Sequence, residues 1–504
     1  MNRVKKNLLL FINQIRQTVF FLSALFFMTI LCHSNVTAQN RNALWCFGDS
    51  AGLNFIDTAN VTTFSTGLDT RGTCVSIADI NGNLLFYAGT RAGISITSTL
   101  VFNRNNVVME NGDSIIGEGW YNELQIIPFP NDSMKYYLFS VSSAGNLGVF
   151  YSIIDLNENG GDGKVIQKNI LLGSYKVFDA TASYKNGNGR DWWYITKVSA
   201  SSPGNNIWHV YSITPNGITD SVQTSGLSEA GGLGNLVFYN SGSKLLFSSF
   251  QGLVETMEFD RCIGVLSNTQ IITNGSSTRY VGSAVSANDQ ILYLSTNYPT
   301  SYLYQLDLNA PNIFNSRIVI DTISYPTSSG GLLRLAPNNK IYWGIFYTDG
   351  HYPYHDNEYT IYNMNLSVIN TPDVLGFGCN FSRFSTYLNG KRAYFGLPNN
   401  PFYEAPSLSS SICDTLTSGI TETQLSRSDI ELYFSSSWST LFINGKNFSG
   451  QRVNCIILNT MGQIIKRFDI FQNGGYFTES IDLGHLSTGL YLISFSDGQQ
   501  TITK

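Results

Sequence analysis

Asn81-Gly82-Asn83-Leu84-Leu85-Phe86-Tyr87 sets a turn of Asn and Gly directly ahead of a short apolar and aromatic run. Asn and Gly suit the positive-φ positions of tight turns, whereas Leu, Phe and Tyr fit a pleated, packed surface. The unit therefore reads as a turn followed by a β-strand. It returns at residues 131–139, 187–195, 241–247, 288–294, 337–343 and 388–395. With strand centres at 85, 138, 194, 246, 293, 342 and 394, the mean spacing is about 52 residues, near the ~50 of propeller blades and beyond helical repeats. Seven instances predict a seven-bladed β-propeller, within the range such folds adopt.

Working outward, most units are flanked by further strand-like runs. Thr73-Cys74-Val75-Ser76-Ile77-Ala78, residues 124–127 and Ser283-Ala284-Val285 precede a unit, while residues 207–211 and 303–307 follow one. Strand, polar turn and strand in succession is what an antiparallel blade requires. Gly231-Gly232-Leu233-Gly234 and Ser329-Gly330-Gly331-Leu332 supply small residues for strands that crowd together at an axis. The fold class predicted is all-β, a seven-bladed propeller followed by a small C-terminal β-sandwich. Residues 39–403 form the propeller, 404–428 a Ser/Thr-rich linker, and 429–504 the sandwich.

Ahead of this, Arg3, Lys5, Lys6 and Arg16 precede an apolar stretch from Thr18 to Cys32, and Val36-Thr37-Ala38 offers small residues before Gln39. A basic start, a short apolar run and a small-residue exit predict a signal peptide over 1–38, cut between Ala38 and Gln39. The apolar run is shorter than the about 20 residues a membrane span needs. An exported chain meets an oxidising compartment, so Cys46, Cys74, Cys262, Cys379, Cys413 and Cys455 are free to pair, in a pattern the sequence leaves open.

Only 13% of residues are charged, where soluble chains average roughly 25%. The net charge is −5, and no run of Lys or Arg follows the N-terminal segment. A nucleic-acid groove needs clustered cations, so nucleic acid is not an expected partner.

The C-terminal residues Leu458-Asn459-Thr460-Met461-Gly462-Gln463, Ile481-Asp482-Leu483 with Leu486-Ser487, and Gly489-Leu490-Tyr491 resemble the type A sorting domain of the type IX secretion system. Gly462, Gly489, Leu490 and Tyr491 carry the motif. The resemblance implies passage through an outer-membrane pore by the type IX secretion machinery. It also implies release, or attachment to surface lipopolysaccharide once the domain is removed. The remainder resembles the surface propellers of gliding Gram-negative bacteria, through Trp45-Cys46-Phe47-Gly48, Gly52-Leu53-Asn54-Phe55, residues 81–87 and 395–399, and Cys413-Asp414-Thr415-Leu416. Together these imply a secreted or outer-surface protein.

Candidate chemistry is sparse. His351, His355 and Asp356 are the one weak metal candidate. Their i, i+4 spacing makes a common face only on a helix, which Pro353 opposes, so an exposed loop is expected. Asp79, Asp155, Asp191, Asp260 and Asp307 lie in or beside strands, where turn capping is the ordinary role and a glycosidase pair the alternative. Ser50 in Gly48-Asp49-Ser50-Ala51-Gly52 lacks the frame of a hydrolase nucleophile. Trp120, Trp192, Trp193, Trp208 and Trp343 suit packing between blades, or glycan stacking if exposed. Asp113-Ser114-Ile115, Asp132-Ser133-Met134 and Asp321-Thr322-Ile323 resemble a bacterial O-glycosylation signal. No cofactor is expected. The leading reading is a non-catalytic surface propeller binding a glycan or protein ligand; the alternatives are an exported polysaccharide hydrolase and a structural part of the gliding apparatus.

Overall fold

The computed structural model describes the chain from residue 40 onward, outside 92–94, 201–205, 276, 298–299, 325–327, 348–358, 409–412, 414–428, 436–438, 447–451, 460–462, 472–475, 485, 487–490, 498–500 and 504. The chain divides into two units, Met1–Thr415 and Leu416–Lys504.

In the first unit, strands that follow one another in sequence pair antiparallel into seven sheets among the described residues. The first holds β1 (Leu44–Phe47), β2 (Asp49–Asn54) and β3 (Thr62–Asp69), and the second β4 (Cys74–Ala78), β5 (Leu84–Thr90) and β6 (Thr99–Asn103). The third holds β7 (Leu124–Phe129), β8 (Asp132–Ser142), β9 (Gly148–Asp155) and β10 (Lys164–Gly173). The fourth holds β11 (Val177–Lys185), β12 (Trp192–Val198), β13 (Ile207–Thr214) and β14 (Gly217–Thr224). The fifth holds β15 (Gly234–Tyr239), β16 (Lys244–Ser249), β17 (Leu253–Phe259) and β18 (Leu266–Asn274). The sixth holds β19 (Tyr280–Val285), β20 (Ile291–Thr296), β21 (Thr300–Asp307) and β22 (Ile318–Ser324). The seventh holds β23 (Ser328–Leu335), β24 (Ile341–Tyr347), β25 (Asn365–Ile369) and β26 (Phe381–Tyr387).

The first strand of each sheet packs against the first strand of the next, from β1 through β4, β7, β11, β15 and β19 to β23. These strands form the inner wall. Every residue of β4 and β19 is buried, whereas β14 and β18 at the outside are largely exposed. Burial on both faces explains why the inner runs lack apolar-polar alternation and use Ser, Ala and Gly where strands crowd. The result is a β-propeller.

The repeated turn has one physical demand. Gly82, Gly189, Gly242, Asp289, Asn339 and Gly390 occupy its equivalent position, all at positive φ between 58° and 88°. That conformation is open to Gly and tolerated by Asn and Asp, and it is why the repeat is visible at all. Aromatic side chains then fill the gaps between sheets. Phe86 meets Tyr136 edge to face at 5.2 Å, Phe139 stacks on Tyr194 at 4.3 Å, and Trp45 meets Tyr342 at 5.9 Å.

The last repeat behaves differently. Leu388–Gly390 makes the turn, but no ladder strand follows. Residues 393–400 instead run between β23 and β4. The Leu332 N–H donates to the Phe395 carbonyl (2.8 Å), and the Asn399 N–H donates to the Cys74 carbonyl (2.9 Å). The predicted strand centred on 394 is thus the segment that closes the ring. Residues 404–408, expected as the start of a linker, stay on the propeller. Glu404 Oε1 accepts the Arg41 N–H (3.0 Å), Arg261 Nη2 donates to the Pro406 carbonyl (2.8 Å), and Cys413 is disulfide-bonded to Cys262. Cys46, Cys74, Cys379 and Cys455 are buried free thiols.

The second unit has two sheets. One holds β27 (Asp429–Ser435), β28 (Thr440–Lys446) and β31 (Tyr476–Asp482); the other holds β29 (Arg452–Asn459), β30 (Ile464–Phe471), β32 (Tyr491–Ser496) and β33 (Thr501–Thr503). Ile430, Leu441, Ile443 and Phe477 of the first share one apolar core with Val453, Cys455, Ile457 and Phe495 of the second.

Candidate functional site

The inner strands run the same way along the axis, so their two ends make two different mouths. At the C-terminal ends of β11, β15, β19 and β23 lies a cavity of about 380 Å³. Its wall is rich in hydroxyls and amides, among them Ser183, Ser283, Ser286, Asn339, Asn399 and Asn400. Tyr184, Phe238 and Phe402 form an aromatic edge, with Tyr184 lying 5.2 Å from Phe238 and 6.3 Å from Phe402.

The floor is organised by the closing segment. Gln125 Nε2 donates to the Asn399 carbonyl (2.6 Å), and Ser183 Oγ donates to Gln125 Oε1 (2.5 Å). Asn399 Nδ2 donates to the Thr181 carbonyl (3.1 Å). Arg334, near the end of β23, reaches inward: Nε donates to the Pro398 carbonyl (3.1 Å), Nη1 to its neighbour Leu333's carbonyl (3.1 Å), and Nη2 to Asn399 Oδ1 (3.2 Å) and Asn122 Oδ1. Burial pushes this guanidinium down to about 10, so it remains charged at neutral pH. Asp289, on the turn after β19, is the one carboxylate on the cavity wall among the described residues.

The opposite mouth is shut. Tyr121, Val281, Leu332 and Phe395 pack together there, and the Arg71 guanidinium sits 5.1 Å from both the Trp120 and Phe395 rings. Beneath this plug, Asp179 accepts the Tyr121 and Gly234 N–H groups (2.8 Å each), and Glu123 Oε2 accepts those of Glu118 and Gly119 (3.0 Å each). Burial, with the Asp179 and Glu118 charges nearby, pushes Glu123 up to about 8, and burial, with the Glu118 charge nearby, pushes Asp179 up to about 7. The Asp179 carboxyl thus ties the start of β11 to those of β7 and β15, the Glu123 carboxyl holds the loop ahead of β7, and both are fully buried. Alongside, Lys197 Nζ donates to Glu255 Oε1 (2.7 Å) in an ion pair that is 0% exposed on both sides.

His351, His355 and Asp356 lie outside the described residues, as do Ala38, Gln39, Gly462, Gly489 and Leu490. Tyr491 opens β32 and pairs with Asn459. The five strand-edge aspartates do not converge. Asp79, Asp155, Asp260 and Asp307 accept backbone N–H groups two residues on, and Asp191 binds Asn188 and Arg190. Ser50 Oγ donates to Asp49 Oδ1, whose carboxylate pairs with Arg392 (2.9 Å). Trp192, Trp193, Trp208 and Trp343 are buried between sheets, and Trp120 is half-buried at the shut mouth. Ser114, Ser133 and Thr322 are exposed. Arg334, Gln125 and Asn399 were not anticipated. The signal available was Arg334 itself, a lone charge inside the small and apolar run of an inner strand.

Residues 437–504 match the family model of the secretion system C-terminal sorting domain. This module is a type IX sorting domain. The sorting domain marks the chain for the outer cell surface or for secretion, and implies interaction with the type IX secretion machinery. No curated protein matches the chain. Among solved structures, it is similar to a putative 6-phosphogluconolactonase from Bacteroides fragilis (10% identity, TM-score 0.39, 61% of this chain and 92% of that one). It is also similar to the Dos1 propeller (9%, 0.41, 81% and 90%) and to the Cps50 (Swd1) β-propeller domain of Myceliophteria thermophila (12%, 0.32, 56% and 79%). None of these likenesses bears on what the propeller ahead of the sorting domain binds.

Proposed function

We propose that the propeller is a non-catalytic recognition module, displayed at the cell surface, whose open axial cavity takes a glycan. The observation carrying this is the composition of the cavity wall. Amides and hydroxyls beside an aromatic edge suit the hydroxyls and apolar faces of a sugar ring. Glycoside hydrolysis needs two carboxyl groups flanking the bond, whereas Asp289 stands alone on this wall among the described residues. Binding without turnover is the chemistry such a wall supports.

In this reading residues 1–38 are a signal peptide removed before Gln39, and the sorting domain hands the propeller to the outer surface, there to be released or attached to lipopolysaccharide. A glycan array probed with the exported protein, followed by a product assay on each bound glycan, tests it. Binding to a defined glycan class without product is expected, and Tyr184→Ala should weaken it about tenfold by removing the aromatic edge. Steady product release abolished by Asp289→Asn would replace recognition with hydrolysis.

A further inference from the structure

Among the described residues, two charged side chains of opposite sign line the axial cavity, Arg334 and Asp289. Asp289 sits on the turn at the edge, partly exposed, where its Oδ1 accepts the Asn240 N–H (2.7 Å). Arg334 lies deeper, against Asn399 and Pro398 of the closing segment, and its side chain is partly exposed. Among the described residues its four hydrogen bonds all end on neutral oxygens, those of Pro398, Leu333, Asn122 and Asn399. A guanidinium has five N–H groups, so one on Nη1 is left for a ligand. A partly buried charge gains from an opposite charge beside it, and a single N–H bond to a carboxylate is shorter and stronger than one to a neutral oxygen.

We propose that the axial cavity selects a carboxylate-bearing saccharide, a uronic-acid type sugar, whose carboxylate faces Arg334 while its hydroxyls meet the Ser and Asn wall. This deepens the glycan reading above and rests on it. Asp289 at the mouth accepts a ring hydroxyl and repels a second acidic group, which sets the orientation: the acidic end enters first.

Titration calorimetry of the full exported chain tests the proposal with three ligands: a uronic-acid oligosaccharide, its carboxyl-reduced neutral counterpart, and a sulfated neutral oligosaccharide of equal length. The acidic sugar should bind at least tenfold more tightly than the neutral one, with the difference shrinking as salt rises. Arg334→Met should remove the preference while leaving neutral-sugar binding in place. Arg334→Lys, which keeps the charge but loses the bonds that hold the guanidinium in place, should retain part of it, and a melting curve on each variant verifies folding. Equal binding of acidic and neutral sugars overturns the proposal and leaves glycan recognition standing. A sulfated sugar binding as tightly as the uronate overturns the carboxylate assignment. Binding of none of the three overturns the glycan reading together with it.

Discussion

Single residues show where this fold spends free energy on polar groups. Glu123 is held at about 8 by burial, against an ordinary value near 4.5. A carboxyl whose folded pKa is raised destabilises the fold increasingly as pH climbs from its ordinary value to the raised one. The melting temperature should therefore fall between pH 5 and pH 9, with Asp179 adding to the loss up to about 7. Glu123→Gln should flatten that fall, gaining about 1–4 kcal/mol over wild type at pH 9 and little at pH 5. An unchanged pH profile in the variant would remove Glu123 from the explanation. The Lys197–Glu255 pair behaves oppositely. Lys197→Met leaves Glu255 buried with no countercharge and should cost about 3–5 kcal/mol in denaturant melts. These acids and Arg334 were the least legible part of the sequence. A lone Glu or Arg in or beside a strand reads as surface, and only the packing of inner strands distant in sequence buries it.

At the scale of elements, the turn-and-strand unit was legible because its positive-φ position restricts residue choice so tightly. Asp289 and Asn339 stand in for Gly there without hiding the repeat. What the repeat could not disclose is that its seventh instance ends in a closing segment. The residues at 388–395 have the same composition as a strand; their partners were already taken by chain from the N-terminus. Gly396 passes so close to Gly72 that a Cβ on it would overlap the Gly72 carbonyl. Gly396→Ala should thus destabilise the propeller by about 2–4 kcal/mol through backbone displacement, read as a lowered melting temperature with the sorting domain's own transition unmoved. The Cys262–Cys413 bond closes a long stretch of chain, 151 residues apart in sequence, onto the fifth sheet. Cys262→Ser, or reduction of the wild type, should cost about 2–5 kcal/mol. Cysteine positions alone left that pairing open, because it depends on where residues 398–408 cross the propeller.

For the whole molecule, the two units divide the work. The propeller presents one shut mouth and one open, polar mouth, and the C-terminal unit is the type IX sorting domain that determines the destination. The destination was legible in short motifs around Gly462 and Gly489-Leu490-Tyr491, since sorting depends on a compact module read by machinery. The ligand was not, because a propeller cavity is assembled from residues as far apart as Gln125, Arg334 and Asn399. The most direct test of this account is the location of the propeller when residues 429–504 are deleted. Cell fractionation with external protease should find the full-length chain at the surface or in the medium, and the truncated chain folded and protease-protected in the periplasm. Surface display of the truncated chain at the full-length level would contradict the account.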